Sequence, residues 1–497
     1  MSARNIAIAL SASALLLSGC TVGPKYKRPA LDTPVVYRGA QPSGNTQVSE
    51  APKDRAGRPL SGQPSSAAAT TENALSLGDE KWWNVFGDPQ LQTLIRAALK
   101  QNYDVRIAAE RVLQAQAQLG ITRSAEFPQI NGAGSYTAQQ YPAAQFGKLG
   151  GGSSSFVTHL GELGLAASWN IDLWGQYRNA TKAARAQLLA SKWAQREVMD
   201  TVVMNVATGY FQLRTLDQEL EIANRTLDAR KQSLRLTETL EAGGSSSLLD
   251  VRQAQELVAT AAATIPDIQR QIAQEENALK TLLGENPGDI ARGLPIYEEP
   301  RMPVVPAGLP SSLIERRPDI REAEEQLIAA NAEIGVARAQ YFPAISLTGQ
   351  VGTASNALNT LFKGSTFAYS YGASLAQPIF NAGRLRNNVR LSEAQERESL
   401  LTYKQTIAQA FQDVSNALVS YQKYREYREE QEHLVAASRD AVNLSNMRYK
   451  GGYSSYVDVL TSQTTLFSSE LSLAAAREEE MLSLVQLYNA LGGGWQQ

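Results

Sequence analysis

Apolar positions along this chain recur with two different periods, and the periods alternate in the same order twice. From Leu91 to about Ser124 the spacing is helical, with a break expected near Asn102, and it stops just before Phe127-Pro128. Period two follows. Leu163, Leu165, Ala167, Trp169, Ile171 and Leu173 alternate with Glu162, Gly164, Ala166, Ser168, Asn170 and Asp172, while a preceding strand from Gln129 to Thr137 alternates less cleanly. Helical spacing then returns for about 66 residues from Gln176 to Glu241 and, after a Gly-Gly turn, for about 36 from Leu248 to Leu283. The second pass has a helix from Asp319 to Tyr341 and two strands. In these, Ile345, Leu347 and Val351 oppose Ser346, Thr348 and Gln350, and Phe367, Tyr369, Tyr371 and Leu375 oppose Ala368, Ser370, Gly372 and Ser374. Helices from Arg384 to Tyr449 and from Tyr456 to Leu491 complete it. Pro266 is expected to kink or break its helix, because proline removes an N–H and crowds the carbonyl four residues back.

The two passes are copies of each other. At an offset of 215, Asp104, Arg106, Gly120, Arg123, Phe127 and Pro128 fall on Asp319, Arg321, Gly335, Arg338, Phe342 and Pro343. At an offset of 208, Gly175, Arg178, Asn179, Gly243, Gly244, Ser247, Asp250 and Gly284 fall on Gly383, Arg386, Asn387, Gly451, Gly452, Ser455, Asp458 and Gly492. Ordered Gly, Pro and Asp matches mark an internal duplication. The first copy holds seven extra residues, assigned to the loop Gly147 to Ser155.

Strands of about ten residues with one apolar and one polar face suit a membrane barrel wall, with lipid outside and water inside. A half-buried sheet in a soluble domain gives the same alternation, but little else in the chain is available to cover one. Four strands cannot enclose a pore, since the smallest membrane barrels have about eight, so closure requires more than one chain. The long helices would each run roughly 100 Å, and the shorter helices placed end to end nearly match them, which suggests a tall helical cylinder.

The N-terminus carries Arg4, an apolar run from Ile6 to Leu17, and Leu17-Ser18-Gly19-Cys20, which reads as a signal peptide ending in a lipobox. Cys20 is the only cysteine of the 497 residues, which excludes a disulfide framework and a thiolate metal site. It is expected to carry diacylglycerol and an N-acyl chain such as palmitate, with no other cofactor. Thr21, in place of an aspartate, favours delivery to the outer membrane. No later stretch has the roughly 18 apolar residues of a membrane helix. The whole chain has 47 basic and 49 acidic residues, which gives no hint of nucleic-acid binding. The expected organisation is a signal peptide (1–19), a lipidated tether rich in Pro, Ser, Gly and Ala (20–80), repeat one (81–285), an irregular equatorial linker (286–310), and repeat two with a C-terminal tail (311–497).

Nucleophile-elbow, phosphate-loop and zinc-helix motifs are absent, and the two histidines lie apart: His159, expected near a surface loop, and His433, expected on a solvated helix face. No active site is expected. The turns Glu241 to Asp250 and Tyr449 to Asp458 are the more informative places. Ser247-x-x-Asp250 and Ser455-x-x-Asp458 read as capping boxes, where an acid favours the helix dipole by roughly 0.3–1 kcal/mol.

Several marks in order resemble the TolC-like outer-membrane factors, in particular the OprM-like lipoprotein branch serving resistance-nodulation-division pumps. They are Cys20 with Gly23-Pro24; Trp82-Trp83, Phe86 and Asp88-Pro89-x-Leu91; Arg316-Arg317-Pro318-Asp319-Ile320; Tyr449-x-x-Gly452; and Ala490-Leu491-Gly492-Gly493-Gly494-Trp495. The resemblance implies a mainly α fold with a membrane β-barrel portion: four strands per chain completing a 12-stranded barrel in a homotrimer, continued by a periplasmic α-helical barrel. It also implies a passive exit duct in a tripartite multidrug or solute efflux system, fed by a periplasmic adaptor and an inner-membrane pump, and lipid-anchored in the outer membrane. Asp250 and Asp458 would line the periplasmic aperture as gate or as helix caps, and Gly243, Gly244, Ser245, Arg448, Tyr449, Gly451 and Gly452 would meet the adaptor. A non-conducting coiled-coil scaffold across the periplasm is the rival reading.

Overall fold

Both passes of the pattern become elements in the computed structural model, which describes residues 21–30, 34, 37, 38, 77, 81–142, 156–298 and 310–493. Cys20 with its lipobox, most of the tether, the glycine-rich loop, much of the linker and Trp495 lie outside the described residues. In chain order the elements are α1 (Trp82–Val85), α2 (Pro89–Gln101), α3 (Tyr103–Ser124), β1 (Gln129–Tyr141), β2 (Phe156–Ile171), α4 (Gln176–Ala242) and α5 (Leu248–Leu282). The second pass gives α6 (Pro310–Arg316), α7 (Pro318–Ala339), β3 (Ala344–Ser355), β4 (Phe367–Ala376), α8 (Arg384–Lys450) and α9 (Tyr456–Ala490). The duplication divides the sequence, whereas spatial contact divides the chain otherwise. One unit gathers the described residues of Met1–Ala30, Val112–Ser191 and Ala323–Tyr403, the other those of Leu31–Arg111, Lys192–Glu322 and Lys404–Gln497, so each takes part of both copies.

The first unit holds one antiparallel sheet in the order β1-β2-β3-β4, and the two copies meet where β2 pairs with β3. Register makes one face largely apolar: Leu165 lies opposite Val351 and Val351 opposite Tyr369, as Ile171 lies opposite Ile345 and Ile345 opposite Leu375. The other face pairs Ser168 with Thr348 and Gln350 with Ser370. The weak alternation of β1 has a packing cause. Gly132 and Gly134 fall on the apolar face opposite Leu165 and Leu163, whose side chains cover them. Gly164 and Gly352 face each other so closely that a Cβ on Gly164 would collide with the Val351 carbonyl oxygen and one on Gly352 with that of Leu163. β2 ends at Ile171, two residues before the expected Leu173, because the Asp172 carboxylate turns to accept from the Arg178 backbone N–H at 2.8 Å. His159 belongs to β2 rather than to a loop, its Nδ1 2.9 Å from the Tyr136 hydroxyl, since the strand begins earlier than its alternation suggests. Around the C-terminal end of β2 the indoles are held by backbone carbonyls: Trp169 donates to Glu126 at 3.0 Å and Trp174 to Pro343 at 2.9 Å, with Trp174 stacked on Phe342.

The second unit is helical. Asp88 caps α2 by accepting from Gln90 N–H, and it also accepts from the Leu294 N–H and the Tyr210 hydroxyl, so this fully buried carboxylate is satisfied on every side. The expected break lies at Asn102, whose Oδ1 accepts from the N–H groups of Asp104 and Val105 and so starts α3, while its Nδ2 donates to the Leu282 carbonyl. Pro266 does not break α5, which runs through it. Ala262, whose carbonyl the proline leaves without its helical donor, is exposed, so water can take that place.

Candidate functional site

The two turns between the long and return helices are built alike at their first halves. At the end of α4, Gly244 N–H donates to Glu241 and Ser245 N–H to Leu240, and Gly244 sits at φ +72. At the end of α8, Gly452 N–H donates to Tyr449 and Tyr453 N–H to Arg448, with Gly452 again at φ +72. This paired bonding closes a helix on a left-handed residue, and glycine is the residue that adopts it without a Cβ penalty.

The second halves differ. Ser247 and Asp250 form a complete capping box, Asp250 N–H donating to Ser247 Oγ at 3.2 Å and Ser247 N–H to Asp250 Oδ2 at 3.0 Å. Ser246 adds a hydroxyl bond to the same oxygen at 2.8 Å. Partial burial pushes the Asp250 carboxyl up, but the bonds from Ser247 and Ser246 outweigh it and hold the group below the usual carboxylate range. At the other turn the Ser455 side chain makes no capping bond, and Asp458 stands exposed. The expectation of a capping box at Asp458 is therefore corrected: Ser455 and Asp458 keep the spacing without the side-chain bonds, and the matching neighbours Tyr456 and Val459 are drawn into an apolar cluster with Ala254.

That cluster joins the turns. Tyr456 and Val459 are buried against Ala254 with Leu234, Tyr449 and Leu460 around them, and the Tyr449 and Tyr456 rings meet edge-on at 5.3 Å. Tyr449 OH lies 3.2 Å from Ser246 Oγ, so a side chain of the second turn reaches the hydroxyl that holds Asp250 in the first. Of the predicted contact residues, Gly243, Gly244, Ser245, Arg448, Gly451 and Gly452 are exposed and Tyr449 is half-buried. Large apolar side chains stand exposed beside them, among them Leu248, Leu249, Met447, Tyr453 and Val457.

Sequence reasoning missed the charged groups that tie the long helices behind these turns. Glu470 of α9 accepts from Arg225 of α4 and from Arg439 of α8, both at 2.8 Å. Arg230, buried on α4, donates to the Leu257 carbonyl at 2.8 Å and lies over the Phe467 ring at 5.0 Å. Farther along, Glu480 of α9 is buried with Arg428 of α8 at 2.6 Å. These partners are separated by tens or hundreds of residues, and no local motif announces them. Among the described residues no group of three or more His, Cys, Asp or Glu side chains is arranged to hold a metal ion, and no helix is long and apolar enough to cross a membrane.

Comparison with known proteins places this architecture. The family model described as outer membrane efflux protein matches residues 94–285 and 309–493. The solvent efflux pump outer membrane protein SrpC of Pseudomonas putida is 37% identical over 482 residues, covering 97% of each chain. The cation efflux system protein CusC of Escherichia coli is 34% identical over 482 residues, covering 97% of this chain and 98% of the relative. Among solved structures, the outer-membrane channel OprN superposes with a TM-score of 0.82 at 28% identity over 96% of this chain and 100% of that one. The open state of the MtrE outer membrane channel of Neisseria gonorrhoeae gives 0.81 at 29% identity, over 96% and 99%.

Proposed function

The chain belongs to the outer membrane efflux protein family, and we propose that three copies of it close a 12-stranded barrel that forms the lipid-anchored exit duct of a tripartite pump. It is an outer-membrane efflux channel subunit and not an enzyme. One observation carries the reading of a barrel shared between chains: a four-stranded sheet with β1 and β4 at its edges and an uncovered apolar face, on which Leu165 is 54% and Tyr371 86% exposed. An apolar face of that extent calls for lipid, and strand edges left open in lipid cost several kcal/mol per unpaired group. Three four-stranded sheets supply the wall that one cannot. A non-conducting scaffold gives no account of such a sheet.

Cys20 carries the lipid that anchors the chain, and the duct takes solutes from a resistance-nodulation-division type pump through a periplasmic adaptor. The exposed glycines and apolar side chains of the two turns suit the adaptor contact, with Arg448 and Tyr449 beside them. Asp458, exposed and without a capping bond, is the carboxylate that faces the aperture, and Asp250 serves its own helix. Relatives are named for solvent and for cation efflux, so the duct passes what its pump delivers. Native mass spectrometry together with single-channel recording in a planar bilayer tests the reading. Trimers with steady conductance are expected; monomers, or trimers without conductance, would overturn it.

A further inference from the structure

A groove of about 440 Å³ in the sheet-bearing unit is lined on one side by the segment Thr21–Tyr26 and on the other by α4 and α7. The segment is pinned along its length. Val22 N–H donates to the Trp174 carbonyl at 3.0 Å, and Asn179 Nδ2 returns a bond to the Val22 carbonyl at 3.0 Å. Tyr26 and Arg28 both bond the buried Glu324 carboxylate. Gly23 passes so close to Gly335 that a Cβ on it would lie 2.8 Å from the Gly335 Cα. The groove is thus preformed.

Its lining is amphipathic. Leu189, Ile328, Ala186 and Ala332 give an apolar floor, while Lys25, Lys182 and Arg185 supply three cations against one carboxylate, Glu325. Among the described residues, Lys25 and Arg185 make no hydrogen bond or ion pair, and Lys182 has only a long bond to the Asn179 side chain at 3.3 Å. The level of the groove relative to the sheet is set by the chain. Lys182 and Arg185 lie roughly 9 and 14 Å along α4 from its first residue, just beyond the end of β2. Trp169, Trp174 and Phe342 gather at that end of the strands, as aromatic side chains do at membrane interfaces.

We propose that this groove binds the headgroup of an anionic phospholipid of the surrounding leaflet, its phosphate held by Lys182, Arg185 and Lys25 and its upper chain on Leu189 and Ile328. The proposal rests on the reading that the sheet spans the outer membrane, but not on acylation of Cys20. Three unneutralised cations over an apolar floor match a ligand that joins a phosphate to hydrocarbon, which free phosphate does not.

The full chain is placed in nanodiscs of mixed phosphatidylglycerol and phosphatidylcholine, released, and its retained lipids counted by native mass spectrometry. Phosphatidylglycerol is expected to be enriched. In Lys182→Gln/Arg185→Gln the preference should fall by roughly 20- to 30-fold, from about fivefold per cation near an anionic surface. Glu325→Gln should raise it. Millimolar inorganic phosphate should leave the wild-type preference unchanged; its displacement of the lipid would reassign the groove to a free anion and overturn the proposal. Equal retention of both lipids, or an unchanged preference in the double variant whose oligomer and helical signal are intact, would do the same. Single-channel conductance of the same samples separates this outcome from failure of the duct reading.

Discussion

At the two turns, aspartates in matching positions are left with different freedom because their neighbours differ. Ser246 and Ser247 bind Asp250 from two sides, whereas Ser455 makes no side-chain bond and Tyr456 turns inward. Ser247→Ala should therefore lower stability by about 1 kcal/mol, the usual cost of a lost N-cap, and Asp250→Asn should act in the same direction. Asp458→Asn should leave the thermal midpoint near the wild-type value and reduce cation selectivity in single-channel recordings. A midpoint shift at Asp458 equal to that at Asp250 would count against this division. Since the folded Asp250 carboxyl titrates lower than a free one, its stabilisation is present above a pH of about 4 and is lost as pH falls through the folded value.

Two other carboxylates carry the opposite sign. Burial pushes Glu478 up to about 7, with Glu479, Glu219 and Glu275 adding to the push and a hydrogen bond with Thr215 opposing it. Burial, then Glu197 and Asp319, push Asp200 up to about 9 against the pull of Arg317. Folded protein thus keeps protons that the unfolded chain has released, and stability falls as pH rises from the carboxylate range toward about 7 for Glu478 and about 9 for Asp200. Glu478→Gln and Asp200→Asn should flatten that fall. Thermal midpoints at about pH 5 and about pH 8, both within that fall, provide the check.

At the scale of elements, what could be read from sequence was whatever a local rule dictates. Asn102 and Ser247 start helices through bonds to the next few residues, and Gly244 and Gly452 end them through a conformation few other residues adopt. Alternation gave β2, β3 and β4 their faces, but it blurred in β1, where Gly132 and Gly134 leave room for leucines of the neighbouring strand. The Asp250 cap was legible in the spacing Ser247-x-x-Asp250. The same spacing at Ser455 misled, since whether the bonds form depends on where Tyr456 packs. The Glu470 clamp was invisible, because Arg225 lies 245 residues away in the chain. A glycine at a turn whose surroundings are open separates conformation from contact: nothing lies within 4 Å of a Cβ placed on Gly244. Gly244→Ala should cost about 1–2 kcal/mol through its positive φ alone. Adaptor binding, measured on the folded protein by surface plasmon resonance, should weaken as well, because the added methyl stands on the docking face; unchanged binding would leave Gly244 a turn residue alone.

For the whole molecule the decisive asymmetry is between the two faces of the sheet. Val351 and Gln350 are sequence neighbours on β3, but Val351 continues the apolar row Leu165 to Tyr369 and Gln350 pairs with Ser370 on the polar face. In a closed barrel the first meets lipid and the second meets water. One added charge should then have opposite consequences one residue apart. Val351→Arg places a guanidinium against hydrocarbon and should destabilise the inserted barrel by roughly 2–4 kcal/mol if it lies near the bilayer midplane. Its expected signature is loss of trimer in mild detergent and poor recovery from the membrane fraction. Gln350→Arg should leave assembly intact and shift single-channel selectivity toward anions, because its charge joins the aqueous lining. If instead both substitutions were tolerated alike, or the costly one were Gln350→Arg, the sheet would be facing something other than lipid on its apolar side.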